Sequence, residues 1–171
     1  MDTYFAVGVP AGALNDDDDY RYFYMAGNIL GIKHITYRIW SYFQGGSTVE
    51  NVISNPEFSV YNDPKGLQEI INEMIRAGLI IPRNRLEKYI LLRHGIGAGY
   101  QKDGSYLIYT DHPINVSQLS YIIWLFSDGH NTFKDIQRRL RMLDVEASEQ
   151  EIKEAVILLF AESILFLSQE A

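Results

Sequence analysis

Ile35, Ile39 and Tyr42 follow the i, i+4, i+7 spacing of a stripe buried along one side of a helix, and Leu119, Ile123 and Phe126 follow it again 84 residues later. The phrase around them repeats as well. YRIWSYFQGGST (37 to 48) returns as YIIWLFSDGHNT (121 to 132), so that Tyr37, Ile39, Trp40, Gly45 and Thr48 meet Tyr121, Ile123, Trp124, Gly129 and Thr132 without a gap. The pattern is that of a module copied in tandem.

Ahead of each helix the period changes. RYFYMAG (21 to 27) aligns with SYLIYTD (105 to 111), and both read as strands rich in aromatic and β-branched residues. Turn-rich lead-ins, GVPAG (8 to 12) and GIGAG (95 to 99), precede them, joined by NDDDD in one copy and KDG in the other. Asp103-Gly104 suits a hairpin turn, because glycine supplies the positive φ that such a turn requires. Asp16 to Asp19 read as an enlarged version of that turn. A calcium loop would spread its oxygen ligands over a longer segment with a glycine and a distal glutamate, so a metal site is not expected there. NILGI (28 to 32) and PINV (113 to 116) read as a third short strand.

Gly45 and Gly129 are expected in the left-handed conformation that ends a helix, with a second helix starting almost at once. Ser47 with Glu50 forms a capping box, and Thr132 with Asp135 a looser equivalent. A third helix is capped by Asp63 with Pro64 in its first position and buries Leu67, Ile70, Ile71, Met74 and Ile75 before Gly78 stops it. Its counterpart begins at a Ser148–Glu151 box and repeats the face with Ile152, Val156, Leu159 and Phe160. Short strands at 79 to 81 and 164 to 167 close the copies. The fold class predicted is α+β: two tandem winged-helix-like modules, 1 to 85 and 86 to 171, each a hairpin plus a short strand followed by three helices and a C-terminal strand.

The third helices differ in one respect. Glu69, Asn72, Glu73 and Arg76 give the first a polar back, whereas AVILLFA (155 to 161) puts Ile157, Leu158 and Ala161 opposite the core stripe. At ~25 cal/mol per Å², leaving two large aliphatic side chains wet forgoes roughly 3 to 5 kcal/mol, so a cover is expected. The first copy, a second chain in a homodimer, or a peptide partner would each provide it. Trp40 and Trp124 lie toward the flank of their stripes, where core packing is the expected role and a shared contact surface the alternative.

The net charge of −7 is spread over both halves: ten acids against seven bases in residues 1 to 85, and twelve against eight in residues 86 to 171. Nucleic-acid binding is therefore disfavoured, since its affinity comes from neutralising phosphates. Lys134, Arg138, Arg139 and Arg141 share one predicted helix, but Asp135 interrupts them, and a solvated helix face is the expectation. No cysteine is present, which excludes disulfides, thiolate metal sites and thiol nucleophiles. With no apolar run approaching ~20 residues and no basic start of a secretory signal in MDTYFAVGVPAGAL, a cytoplasmic protein without membrane contact is expected.

No catalytic constellation is visible, and neither an enzyme nor a bound cofactor is expected. His34, His94, His112 and His130 lack HxxxH or HExxH spacing. GIGAG lacks a following Lys-Ser/Thr and leads into a strand, where a phosphate loop would open a helix.

The second copy, KDGSYLIYTDHPINVSQLSYIIWLFSDGHNTFKDIQRRL followed by a capped helix and ILFL, resembles the PqqD-like domains, also called RiPP recognition elements. Their pattern IWxxxDGxxTxxEI is matched by Ile123, Trp124, Asp128, Gly129, Thr132, Asp135 and Ile136. The first copy resembles them more weakly, with Gln44-Gly45 replacing Asp-Gly. The resemblance implies binding without catalysis: the leader of a ribosomal precursor peptide adds as a strand to the third β-strand and rests against the third helix. By position the edge would be Ile114, Asn115 and Val116, with Ile29, Leu30 and Ile32 as first-copy equivalents, and Lys153, Val156, Ile157 and Leu158 on the helix beside it. Such domains act beside a modifying enzyme, which here would have to work in trans. A tandem winged-helix adaptor docking through its apolar helices is the alternative, and a DNA-binding regulator using residues 134 to 141 comes third.

Overall fold

The computed structural model describes residues 2 to 13, 19 to 61 and 63 to 169, with the side chains of 60 and 61 left aside. The chain divides into two compact units, residues 1 to 86 with 168 to 171, and residues 87 to 167. Both are mixed α+β.

In the first unit β1 (Thr3–Ala6) leads to β2 (Val9–Gly12), β3 (Tyr20–Met25) and β4 (Asn28–Lys33), followed by α1 (His34–Ser41), β5 (Ser47–Thr48), α2 (Val49–Ile53), a 3₁₀ segment (Pro56–Tyr61), α3 (Pro64–Arg76) and β6 (Ile80–Pro82). Two three-stranded sheets result, ordered β5-β1-β6 and β2-β3-β4. Phe23, Ile39, Trp40, Phe43, Val52, Phe58, Ile71 and Met74 fill the core between sheet and helices.

After a 3₁₀ segment (Arg83–Lys88), the second unit contains β7 (Ile90–Arg93), β8 (Ile96–Tyr100), β9 (Tyr106–Tyr109), β10 (Pro113–Val116), α4 (Gln118–Phe126), β11 (Asp128–Thr132), α5 (Phe133–Met142), α6 (Glu149–Ala161) and β12 (Leu165–Ser168). Its sheets are ordered β11-β7-β12 and β10-β9-β8, the same arrangement strand for strand. The hairpin, the third strand, the three helices and the last strand of each copy occur where the periodicity puts them.

Several local expectations need correction. The lead-ins GVPAG and GIGAG form the first strands of the expected hairpins, β2 and β8, paired antiparallel with β3 and β9. Two strands ahead of them, β1 and β7, have no counterpart in the sequence reading, yet each is the centre of a sheet. Gly46 (φ 86), not Gly45, is left-handed after α1, and the Phe5 ring fills the space where a Cβ would go. Gly129 (φ 87) lies inside β11 and not at the end of α4, whose cap is Ser127. Thr48, not Ser47, caps α2 by accepting from the Asn51 N–H, since the helix starts at Val49 and Thr48 is the residue immediately before it. Thr132 with Asp135 is a full capping box, as is Ser148 with Glu151. Asp63 caps α3 with Pro64 in its first turn. The turn at Asp16 to Asp19 lies outside the described residues except for Asp19.

The tryptophans take the expected core role. Both are buried, and each indole Nε1 donates to a main-chain carbonyl, Trp40 to Val7 at 3.1 Å and Trp124 to His94 at 2.9 Å. Those carbonyls immediately precede Gly8 and Gly95, where the chain turns from one sheet into the other with φ 115 and 96. A Cβ at Gly8 would lie 2.6 Å from the Phe23 ring, and one at Gly95 2.7 Å from the Tyr109 carbonyl oxygen. Only glycine fits either corner.

Candidate functional site

Each meander sheet has its second strand, β3 or β9, in the middle and two edges, β2 and β4 in the first unit and β8 and β10 in the second. The edges are unequal. The β2 ladder shifts register between Pro10 and Gly12, and the β8 ladder shifts at the matching place, between Gly97 and Gly99. Such bulges twist an edge away from a further strand, and Pro10 removes a donor besides. The β4 and β10 ladders run without a shift, from Asn28 to Lys33 and from Pro113 to Val116. Of these four meander edges, only β4 and β10 offer a visiting strand a regular ladder.

The residues expected to receive a peptide divide by burial. On β10, Asn115 is exposed and Val116 half-buried, while the Ile114 side chain is buried in the core and acts only by fixing the strand. On β4, Ile29 is 54% exposed, and Leu30 and Ile32 are half-buried at the margin of the core. The strands thus bring each trio to an edge.

The expected wall on α6 is less uniform. Val156 is only 2% exposed, so it is a core residue and does not line a surface. Lys153 is held by Glu149 and lies 3.5 Å from the Glu87 carboxylate and 5.9 Å from the centre of the Phe133 ring. Its hydrogen bond to Glu149 raises its pKa, ahead of the opposing effect of desolvation. The ammonium is thus already engaged by acids of its own unit. Ile157 is half-buried, whereas Leu158 is 62% exposed and Ala161 is exposed, on the apolar back that the sequence set opposite the core. α6 packs against α4, which also packs against β9.

The sequence reading missed an aromatic run in the second unit. Tyr100, Tyr106, Tyr121 and Trp124 follow one another at centroid distances of 5.5, 4.9 and 5.7 Å, and the Arg93 guanidinium lies 5.0 Å from the Trp124 ring. Gly97 makes room for it, since a Cβ there would meet the Tyr121 hydroxyl. The matched Tyr37 and Tyr121 were the visible signal, and Tyr37 likewise lies 5.4 Å from Trp40.

Among the described residues no three His, Cys, Asp or Glu side chains cluster as a metal site would require, and no helix is long and apolar enough to cross a membrane. Three of the four basic residues of α5 are engaged locally: Lys134 is 3.5 Å from Glu87, Arg138 is 3.9 Å from Asp135, and Arg139 lies 5.6 Å from the Phe126 ring. No protein-family model matches the sequence, and no curated protein matches it.

Proposed function

We propose that this chain is a non-catalytic accessory protein of two tandem winged-helix-like modules that captures an extended peptide by strand addition. The peptide class that fits the PqqD-like resemblance is the leader of a ribosomal precursor, presented to a modifying enzyme acting in trans. One observation carries the reading: in each unit one meander edge is bulged and the opposite edge is regular. Main-chain hydrogen bonds along such an edge give affinity, and flanking side chains give selectivity.

The test uses random 12-residue peptides displayed on phage and selected on the whole chain. Their binding is then measured by fluorescence anisotropy to the wild type and to a variant carrying Ile29→Pro and Val116→Pro together. A loss of tenfold or more in a variant with an unchanged circular dichroism spectrum supports strand addition. Equal binding removes it.

The adaptor reading has its own support in Leu158, an exposed aliphatic side chain on an otherwise well-packed helix. It predicts that Leu158→Glu abolishes association with a protein partner while leaving the selected peptides bound.

A further inference from the structure

Resting on the strand-addition reading, we infer that the acceptor edge is β4 of the first unit, not β10, and that its ligand is an extended segment with consecutive apolar side chains. The sequence resemblance is stronger in the second copy, but the geometry favours the first.

The direction of the main-chain groups follows from the turn. Ala26 (φ 50) and Gly27 (φ 75) form a two-residue loop with two left-handed residues, which joins β3 to β4 through the Met25/Asn28 pair. In such a hairpin the pair flanking the loop exchanges both hydrogen bonds, and bonded pairs then alternate along the ladder. Phe23/Leu30 and Arg21/Ile32 are thus bonded inward. Ile29 and Gly31 turn their N–H and C=O groups outward, and Lys33 its N–H alone, since its carbonyl accepts the first bond of α1. Two full donor–acceptor sets and a further N–H therefore line the edge of an unbroken six-residue strand. β10 offers a shorter strand of four residues, and its first, Pro113, has no N–H to give.

The side chains point the same way. On the outer face Ile29 pairs with Tyr24, and they are 54% and 50% exposed. On the inner face Leu30 and Ile32 are half-buried. A fourth strand beside β4 covers apolar surface on both faces, so its successive residues should all be apolar, not alternately so. On β10 the inner Ile114 is already buried and Asn115 is polar, leaving less to cover. Tyr22 lies across Gly31, where a Cβ would sit 2.9 Å from its Cε1, so a ring on the ligand at this level can pack against the tyrosine. Lys33 carries the strand's only charge, and a basic ligand residue beside it would be repelled.

The phage-selected peptides test this with single-edge variants. The expected result is an enriched run of at least three apolar or aromatic residues, with binding weakened tenfold or more by Ile29→Pro, severalfold by Ile29→Lys, and less than twofold by Val116→Pro. Ile29→Lys changes an exposed side chain and leaves the main chain intact, so it keeps the test sharp if the proline variant misfolds. Weakening by Val116→Pro alone overturns the choice of β4 and leaves strand addition standing. Weakening only when both edges are blocked overturns it too, since the edges are then equivalent. If no peptide is enriched, or none responds to either edge, strand addition itself falls.

Discussion

The Trp40 indole donates its N–H to the carbonyl of Val7, 33 residues earlier in the chain, at 3.1 Å. This bond ties α1 to the corner where β1 gives way to β2, and Trp124 ties α4 to the carbonyl of His94 in the same manner at 2.9 Å. The repeated tryptophan thus has a repeated task, holding the corner between two sheets.

The two bonds differ in surroundings, which makes their removal informative. Val7 is fully buried, whereas His94 is exposed. A buried carbonyl left without a donor costs about 1 to 3 kcal/mol, while water can replace the donor near the surface. Trp40→Phe should therefore destabilise its unit more than Trp124→Phe does, by at least about 1 kcal/mol in urea denaturation. Equal losses would mean that the rings matter only as volume.

Gly8 and Gly12 both have positive φ, 115 and 83, but only Gly8 is crowded. A Cβ at Gly8 meets the Phe23 ring and the Tyr24 carbonyl oxygen, whereas one at Gly12 meets nothing within 4 Å. Gly12→Ala should cost about 1 kcal/mol for backbone conformation alone. Gly8→Ala adds a collision with main chain and should cost about 2 to 4 kcal/mol. Thermal melts of the two variants that coincide would refute the role given to the corner.

The helices and the hairpins were legible because their signals are local: a stripe at i, i+4, i+7, a capping side chain, a turn glycine. The strands β1 and β7 were not. Each is four residues long and gains its place from partners far along the chain, β5 and β6 for β1, β11 and β12 for β7. The same long-range pairing sets where α2 starts, because Ser47 and Thr48 are held in the ladder to Tyr4 and Thr3 and the helix begins only at Val49. Gly45 and Gly46 are adjacent and chemically equal, and the Phe5 ring that fills the Cβ space of the second is invisible to local pattern.

The candidate edges were legible as strands but not as edges. Which side of a meander stays regular depends on the bulges at Pro10/Gly12 and Gly97/Gly99, and these arise from the fit of one strand against another. Val156 fits the helical stripe and is buried with it, yet the resemblance also put it on a surface, and one side chain cannot do both. The apolar back of α6 was read correctly from the 100° spacing, since Leu158 faces outward.

Capping gives a further contrast. Thr48 and Thr132 each accept from the backbone N–H three residues on, whereas the Ser47 hydroxyl makes no cap to α2. Thr48→Ala and Thr132→Ala should each cost about 1 kcal/mol. Ser47→Ala should fall within about 0.5 kcal/mol of wild type, as a half-buried position without a named mechanism does. A Ser47→Ala loss equal to that of Thr48→Ala in chemical denaturation would restore the capping box read from the sequence.

Acid should weaken the second unit through its two capping boxes. The Thr132 hydroxyl and then its N–H bond the Asp135 carboxylate and hold its pKa below the usual aspartate range, and Ser148 does the same for Glu151. For a carboxyl whose folded pKa lies below its unfolded one, the stabilisation is present above the unfolded value and disappears as pH falls through the folded value. The unfolded values are about 4, so the urea midpoint of the second unit should hold steady near pH 6 and fall below about pH 4. Glu151 is exposed and Asp135 only half-buried, so solvent screening keeps the effect small. Asp135→Asn with Glu151→Gln should flatten this acid slope, because the amides can still accept the hydroxyl and N–H bonds but no longer titrate. The measurement is Trp124 fluorescence in a Trp40→Phe background, from pH 6 to about pH 3. An unchanged slope in the double variant would show that other carboxyls govern acid stability.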